Sequence, residues 1–219
     1  MRRGLALLLI LTGCESRNAA LRIMPLGDSI TAGDDEHNSY RRPLFKSLEL
    51  EGHSVNFVGS LRSRHLRPDF DADHEGHWGF RVDEILEEVR GWVEAEEPDI
   101  LLVHLGSNDV FQEQSIASTI DELGQLIGTV RESRPNALFL VAQIIPTVQG
   151  PNDAIRELNA SIPSLASKST ARSPVRIVDL YTGFDPGRMT YDGVHPNAEG
   201  EIHMADRWLA AVESYLTYP

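Results

Sequence analysis

From Ala20 onward the chain alternates short apolar runs with stretches of helical periodicity. Residues 21–26 (Leu-Arg-Ile-Met-Pro-Leu) predict a first strand, although Pro25 cannot donate to a sheet ladder and suits only a strand end or an edge. Tyr40, Leu44, Phe45 and Leu48 follow helical spacing up to Gly52, and residues 55–58 predict a second strand. Val82, Ile85, Leu86, Val89, Trp92 and Val93 fall on one face of a helix, with acidic residues on the other. Residues 100–105 are apolar almost throughout, the pattern of a parallel strand covered on both faces. A helix through Ile116, Ile120, Leu123, Ile127 and Val130 follows, then a buried strand over 137–145. Ile155, Leu158, Ile162 and Leu165 predict a helix kinked at Pro163. A fifth strand covers 175–180, and Ile202, Met204, Trp208, Val212 and Tyr215 mark a last helix. Five strand–helix alternations argue for a three-layer α/β/α sandwich, one domain over residues 20–219 with a five-stranded, mostly parallel sheet. The exception is a long segment, 61–80, rich in His, Asp and Arg and without periodicity, which reads as an irregular loop.

Composition narrows the function classes. The 219 residues, 41% hydrophobic and 24% charged, suffice for one domain with a real core. Thirty-three acidic against 20 basic residues give a formal charge of −13, which repels phosphate backbones and argues against a nucleic-acid partner. A single cysteine excludes an internal disulfide framework and any multi-cysteine metal centre. The N-terminus reads as an address: Arg2 and Arg3, a short apolar run over 5–11, then Leu11-Thr12-Gly13-Cys14. That last stretch resembles the lipobox of bacterial lipoproteins, with residues 1–13 as signal peptide, Cys14 lipidated and 14–19 a tether. An ordinary export signal with an incidental cysteine is the plainer alternative. On the first reading the protein is exported to the bacterial cell envelope and meets the membrane only through an anchor at Cys14.

In doubly wound sheets, ligands bind beyond the carboxyl ends of the strands. Here the first strand is followed by Gly27-Asp28-Ser29, the segment 61–80 ends in Trp78-Gly79-Phe80, and the strand over 100–105 runs into Gly106-Ser107-Asn108-Asp109. Asp192-Gly193-Val194-His195-Pro196 precedes the last helix. Each is also a good turn sequence, but together they carry the parts of a nucleophilic acyl-transfer site. Ser29 offers a hydroxyl that needs a base, His195 titrates near neutrality, and Asp192 can fix its tautomer. The backbone N–H groups of Ser29 and Gly79 with the Asn108 amide are candidate oxyanion donors. Pro196, with its preset φ, is expected to open the last helix and to anchor the histidine. Asp28 and Asp109 read as supports for the loops.

These motifs, in this order, resemble the SGNH (GDSL-like) hydrolases, and among them the third carbohydrate-esterase family, typified by acetylxylan esterases. Ile23-Met24-Pro25-Leu26-Gly27-Asp28-Ser29-Ile30-Thr31, Phe57-Val58-Gly59-Ser60, His74-Glu75-Gly76-His77-Trp78-Gly79 and Asp192-Gly193-Val194-His195-Pro196-Asn197 carry the likeness. The resemblance implies a flavodoxin-like fold, the four namesake roles for Ser29, Gly79, Asn108 and His195, Asp192 as orienter, and no cofactor. It implies an esterase that removes short acyl groups, acetyl first, from carbohydrate through an acyl-serine. It also makes sense of Pro25. Two departures fall where the pocket mouth is expected: Phe80 where many relatives have Trp, and Asn38-Ser39-Tyr40-Arg41 for Gly-Gly-Tyr-Arg.

Rival readings keep or replace that site. A lysophospholipase or acyl-thioesterase would use the same residues on longer chains, and a non-catalytic lipoprotein would bind glycan or partners through a degenerate site, which the retained Ser29, Gly79, Asn108 and His195 argue against. The run from Asp71 to His77 could hold a cation for a metal-dependent deacetylase, but it lacks a His-Glu-x-x-His helix and reads as a hydrogen-bonded or solvated loop; no metal is expected. Trp78 is either a platform for a sugar ring or an aromatic packed under its loop. His53, His65 and His203 read as ordinary.

Overall fold

The computed structural model describes residues 19–63 and 69–217, so the expected export signal, Cys14 and His65 lie outside the described residues. In chain order the strands are β1 (Leu21–Gly27), β2 (Val55–Phe57), β3 (Leu61–Arg62), β4 (Asp73–Gly76), β5 (Ile100–His104), β6 (Leu138–Gln143) and β7 (Val175–Asp179). The helices are α1 (Ser29–Ala32), α2 (Arg41–Leu50), α3 (Val82–Glu96), α4 (Ser107–Phe111), α5 (Ile116–Ser133), α6 (Asn152–Ser161), α7 (Pro186–Met189) and α8 (Ala198–Thr217).

The three-layer sandwich is as expected, but among the described residues the sheet has seven strands rather than five. β5 runs beside β1 from Ile23 to Gly27. The other edge of β1 is shared end to end by β2, along Leu21–Ile23, and β4, along Leu26 and Gly27, both parallel to it. β2 and β4 thus fill one position, and β3 adds a short antiparallel rim to β4. Among the described residues of 61–80, 61–62 and 73–76 are therefore strands rather than irregular loop. β4 escapes a hydrophobicity pattern because its sequence is Asp-His-Glu-Gly. Side-chain bonds hold it instead: Glu75 Oε2 accepts the Ser60 N–H at 2.7 Å and the His74 ring meets Ser63 Oγ at 2.8 Å.

The same division accounts for Pro25 in the middle of a central strand. The carbonyls of Ile23 and Gly27 accept from Val58 and His77 on the β2/β4 edge. Strand alternation points the Pro25 nitrogen to that edge too, where β2 has ended and β4 has not begun. No ladder donor is missed.

Period-2 alternation sorts the strand side chains between two cores. Leu101 and Val103 of β5 pack with Val89, Leu123, Ile127 and Leu158 on one face. Ile100 and Leu102 pack with Leu44, Leu48, Met204 and Trp208 on the other. From one edge the parallel strands run β2/β4, β1, β5, β6, β7, so the order reverses between β1 and β5, where such sheets bind ligands.

Two local expectations are refined. At Pro163 the helix does not kink but stops at Ser161 and continues as a 3₁₀ turn, Ile162–Lys168. Pro196 does not open α8, which starts at Ala198. Asn197 caps it, its Oδ1 accepting from the N–H of Glu199 at 3.0 Å and of Gly200 at 3.2 Å. The Asn197 amide also donates to the Arg188 carbonyl at 2.8 Å, closing the loop that carries His195.

Candidate active site

Gly27 ends β1 at the point of strand reversal. A Cβ there would lie 2.2 Å from Thr31 Oγ1 and 2.7 Å from the His104 carbonyl, so only glycine lets the chain turn this tightly. Asp28 caps α1, its Oδ1 accepting the Ile30 N–H at 2.9 Å. Burial pushes its carboxyl up to about 6 against that hydrogen bond. Ser29 follows as the first residue of α1, half-buried at the rim.

The β7–α8 connection brings His195 over Ser29, with Nε2 at 2.9 Å from Oγ. Asp192 Oδ2 lies 2.7 Å from His195 Nδ1, and its Oδ1 accepts the N–H groups of Val194 at 2.9 Å and His195 at 2.7 Å. Partial burial pushes the Asp192 carboxyl up, but these bonds outweigh it and hold it below the usual carboxylate range. The aspartate is therefore an acceptor, Nδ1 carries the ring proton, and Nε2 is left to accept from Ser29.

Gly79 follows β4 and has φ +80°, a left-handed backbone that favours glycine. Gln112, unremarked in the sequence, steadies that turn: its Nε2 donates to the Gly79 carbonyl at 3.1 Å, while its Oε1 accepts from Arg81 at 2.8 Å. It stands one helical turn beyond Asn108, and that spacing is the one trace of it in the sequence. Asn108 lies at the start of α4, and its Nδ2 donates to the Phe80 carbonyl at 3.0 Å. An amide has two N–H groups, so this bond fixes the side chain without using up its second donor. Asp109 behaves as a support: it accepts the Val82 N–H at 3.2 Å and so ties α3 to the β5 end.

Ser29, Gly79, Asn108 and His195 border a single cavity of about 310 Å³, whose remaining wall includes Trp78 and Phe111. Trp78 neither packs under its loop nor stands free. Its Nε1 donates to the Gly33 carbonyl at 3.0 Å, and its ring stacks on His195 at 5.2 Å between centroids. Phe80 points away from the cavity mouth, against the core and the His77 ring. At the other departure, Ser39 adopts φ +57° where the resembled motif has glycine, steadied by its Oγ donating to the Thr31 carbonyl at 2.9 Å.

The acidic and imidazole side chains from Asp71 to His77 do not meet at one point. Asp71 accepts the Phe57 N–H, Asp73 pairs with Arg62, and Glu75 binds Ser60 and His77. His74 accepts from the Gly76 N–H, and burial holds its imidazole far below the ordinary range. Among the described residues no three such groups converge as a metal site would require.

With this geometry in view, the chain's relatives fall into line. The GDSL-like Lipase/Acylhydrolase family model matches residues 26–201. The crystal structure of a carbohydrate esterase family 3 protein from Talaromyces cellulolyticus is 33% identical and superposes with a TM-score of 0.82, covering 90% of this chain and 98% of that one. An acetyl esterase serine-to-alanine variant crystallised with an acetate ion is 32% identical, with a TM-score of 0.82 and coverage of 90% and 98%. A multidomain esterase of Ruminococcus flavefaciens is 28% identical over 229 residues, 92% of this chain; the chain spans only 30% of that relative's length. The order of the site segments, the strand order and these likenesses agree: the chain belongs to the GDSL-like lipase/acylhydrolase family of carboxylic-ester hydrolases.

Proposed function

We propose that the protein is a serine esterase that removes short acyl groups, acetyl above all, from carbohydrate. The observation that carries the reading is the line Asp192–His195–Ser29, with contacts of 2.7 and 2.9 Å, opening on a cavity of about 310 Å³. That volume lies at the lower end of small-molecule sites, which favours an acetyl over a long acyl chain. The acetyl esterase and carbohydrate esterase relatives point the same way.

In this reading Ser29 Oγ bonds to the ester carbonyl carbon as its proton passes to His195 Nε2, and the carbonyl π pair moves onto oxygen. The N–H groups of Ser29 and Gly79 and the free Asn108 N–H receive that oxyanion. Collapse of the intermediate expels the sugar oxygen, which takes the proton from His195. Water, deprotonated by the same imidazole, then releases the acid and restores Ser29. Export and anchoring through Cys14 belong to the same proposal and rest on the N-terminal sequence; Cys14→Ser should release the protein from the membrane fraction.

The test is turnover of aryl acetate, butyrate and octanoate by wild type and Ser29→Ala. Acetate preference abolished in Ser29→Ala is expected. Preference for octanoate would favour a lysophospholipase or thioesterase, and absence of turnover by folded protein a glycan-binding lipoprotein.

A further inference from the structure

Two aromatic rings lie nearly parallel to the His195 imidazole. Trp78 is 5.2 Å away between centroids with planes 28° apart, and Tyr191 stacks at 5.7 Å and 17°. Both rings are otherwise open to solvent, 54% and 41% exposed, so neither is there to fill the core. Each is held in place by its polar end. Trp78 Nε1 donates to the Gly33 carbonyl at 3.0 Å, and the Tyr191 hydroxyl donates to Asp34 Oδ2 at 2.9 Å. Asp34 is itself fixed by the N–H groups of Glu36 and His37, both at 2.7 Å. The His37 ring then stacks on Tyr191 at 4.0 Å and 8°. Asp34 and its neighbours thus organise a platform whose exposed end is the side of the imidazole.

We propose that Trp78 and Tyr191 are positioning residues that stack on His195 and favour its imidazolium form as Ser29 attacks the ester. The argument rests on the acyl-transfer reading above. As the Oγ–carbon bond forms, the Ser29 proton moves to Nε2 and the ring becomes a cation. A cation over an aromatic face is attracted by the ring quadrupole, and a neutral imidazole gains much less. The preference therefore grows along the reaction, which is what accelerates it. The stacking also restricts rotation of the imidazole about its side chain, keeping Nε2 on Ser29. The Tyr191 ring stays a neutral phenol throughout, because burial and the adjacent Asp34 carboxylate push its hydroxyl well above the ordinary range.

Other groups also act on this imidazole. Asp192 belongs to its own loop, Asp28 lies beneath Ser29, Glu201 of α8 and His37 border the crevice beside it, and Asp34 stands behind Tyr191. The rings, unlike these groups, carry no charge, so variants that change only Trp78 or Tyr191 isolate the π contribution.

The experiment follows the His195 ring by NMR across pH in the full chain, alongside the pH profile of kcat/KM on aryl acetate. Trp78→Leu and Tyr191→Leu are each expected to lower the titration midpoint by about half a pH unit. The acid limb of the profile should move to lower pH by the same amount, and the plateau should fall about 2–5-fold. Tyr191→Phe keeps the face and should keep the midpoint, although it loses the Asp34 bond. Should Trp78→Leu fail to fold, Trp78→Phe, with a weaker face, must still give a smaller fall. Unchanged midpoints in folded Leu variants overturn the proposal, as does a plateau that drops while the acid limb stays still. The ring titration needs no turnover, so its failure is distinct from failure of the esterase reading, which Ser29→Ala reports.

Discussion

Asp192 holds His195 at both ends: Oδ1 accepts the backbone N–H at 2.7 Å while Oδ2 meets the ring Nδ1 at 2.7 Å. One carboxylate thus shapes the loop and sets the tautomer. Asp192→Asn separates these roles. Its Oδ1 can still accept the N–H groups of Val194 and His195, but the NH₂ now faces Nδ1 and moves the ring proton to Nε2. That tautomer cannot take the Ser29 proton. The expected result is a fall in kcat of about 10²–10⁴-fold with the thermal midpoint nearly unchanged; wild-type kcat would remove Asp192 from the relay.

Asn108 spends one N–H on the Phe80 carbonyl. If the other receives the oxyanion, Asn108→Ala lowers kcat about 10²–10³-fold with little change in KM. The lost brace alone would cost about 1 kcal/mol of stability and spare kcat. Steady-state kinetics beside a urea titration separate the two. Asn108→Asp, which replaces both donors with acceptors, should be worse than alanine.

Most of the fold and the central residues of the site are legible in the sequence, for a physical reason. β5 and β6 are buried on both faces and so appear as apolar runs, while α3 and α5 show a single apolar stripe. Ser29, Asn108 and His195 stand in glycine-punctuated turns at strand ends, where chain order alone suggests convergence. β3 and β4 were hidden because hydrogen bonds from Ser60 and Ser63, not apolar contacts, secure them. Tyr191 was hidden because its anchor, Asp34, lies 157 residues away in sequence. The capping role of Asn197 and the bracing role of Gln112 went unseen because they depend on where a side chain points, which neither composition nor periodicity encodes.

Arg41 is fully buried, yet it faces carbonyls rather than a paired carboxylate. Its guanidinium donates to the carbonyls of Thr31 at 2.8 Å, Ala72 at 2.8 Å and Ala32 at 2.7 Å, joining the end of α1 to the start of β4. Burial pulls it down to about 10, still a cation at neutral pH. Arg41→Met strips the Ala72 carbonyl of its donor, while the Thr31 and Ala32 carbonyls keep Ser39 Oγ and Ser63 Oγ, and should destabilise the fold by about 1–3 kcal/mol in urea unfolding. Arg41→Lys cannot span the three acceptors with one ammonium and should recover less than half of the loss. A change within about 0.5 kcal/mol for either variant would show that α1 is held by other contacts.

Asp109 gives stability a pH dependence of definite sign. Burial pushes its carboxyl up to about 6, against the hydrogen bond from Val82 N–H, with Glu122 and Asp83 adding like charge. An unfolded aspartate releases its proton near 3.8, the value from which this shift is measured. Between about pH 4 and 6 the folded chain therefore retains a proton that the unfolded chain has lost. Stability falls as pH rises through that window, and the penalty persists above it. Asp28 is raised to about 6 by burial as well and adds in the same direction, so the wild type alone cannot apportion the effect. Asp109→Asn can, because it is neutral at every pH and its Oδ1 still accepts from Val82. Any fixed offset from repacking against Thr119 Oγ1, which donates to Asp109 at 3.4 Å, is the same at all pH values. The difference in stability, variant minus wild type, should thus grow by about 1–3 kcal/mol from pH 4 to pH 7, a rise of some 3–9 °C in relative Tm, and then level off. A difference that stays flat across that range would mean Asp109 is ionised in the fold at pH 4, with the N-terminus of α3 neutralising it more fully than its burial disfavours the charge.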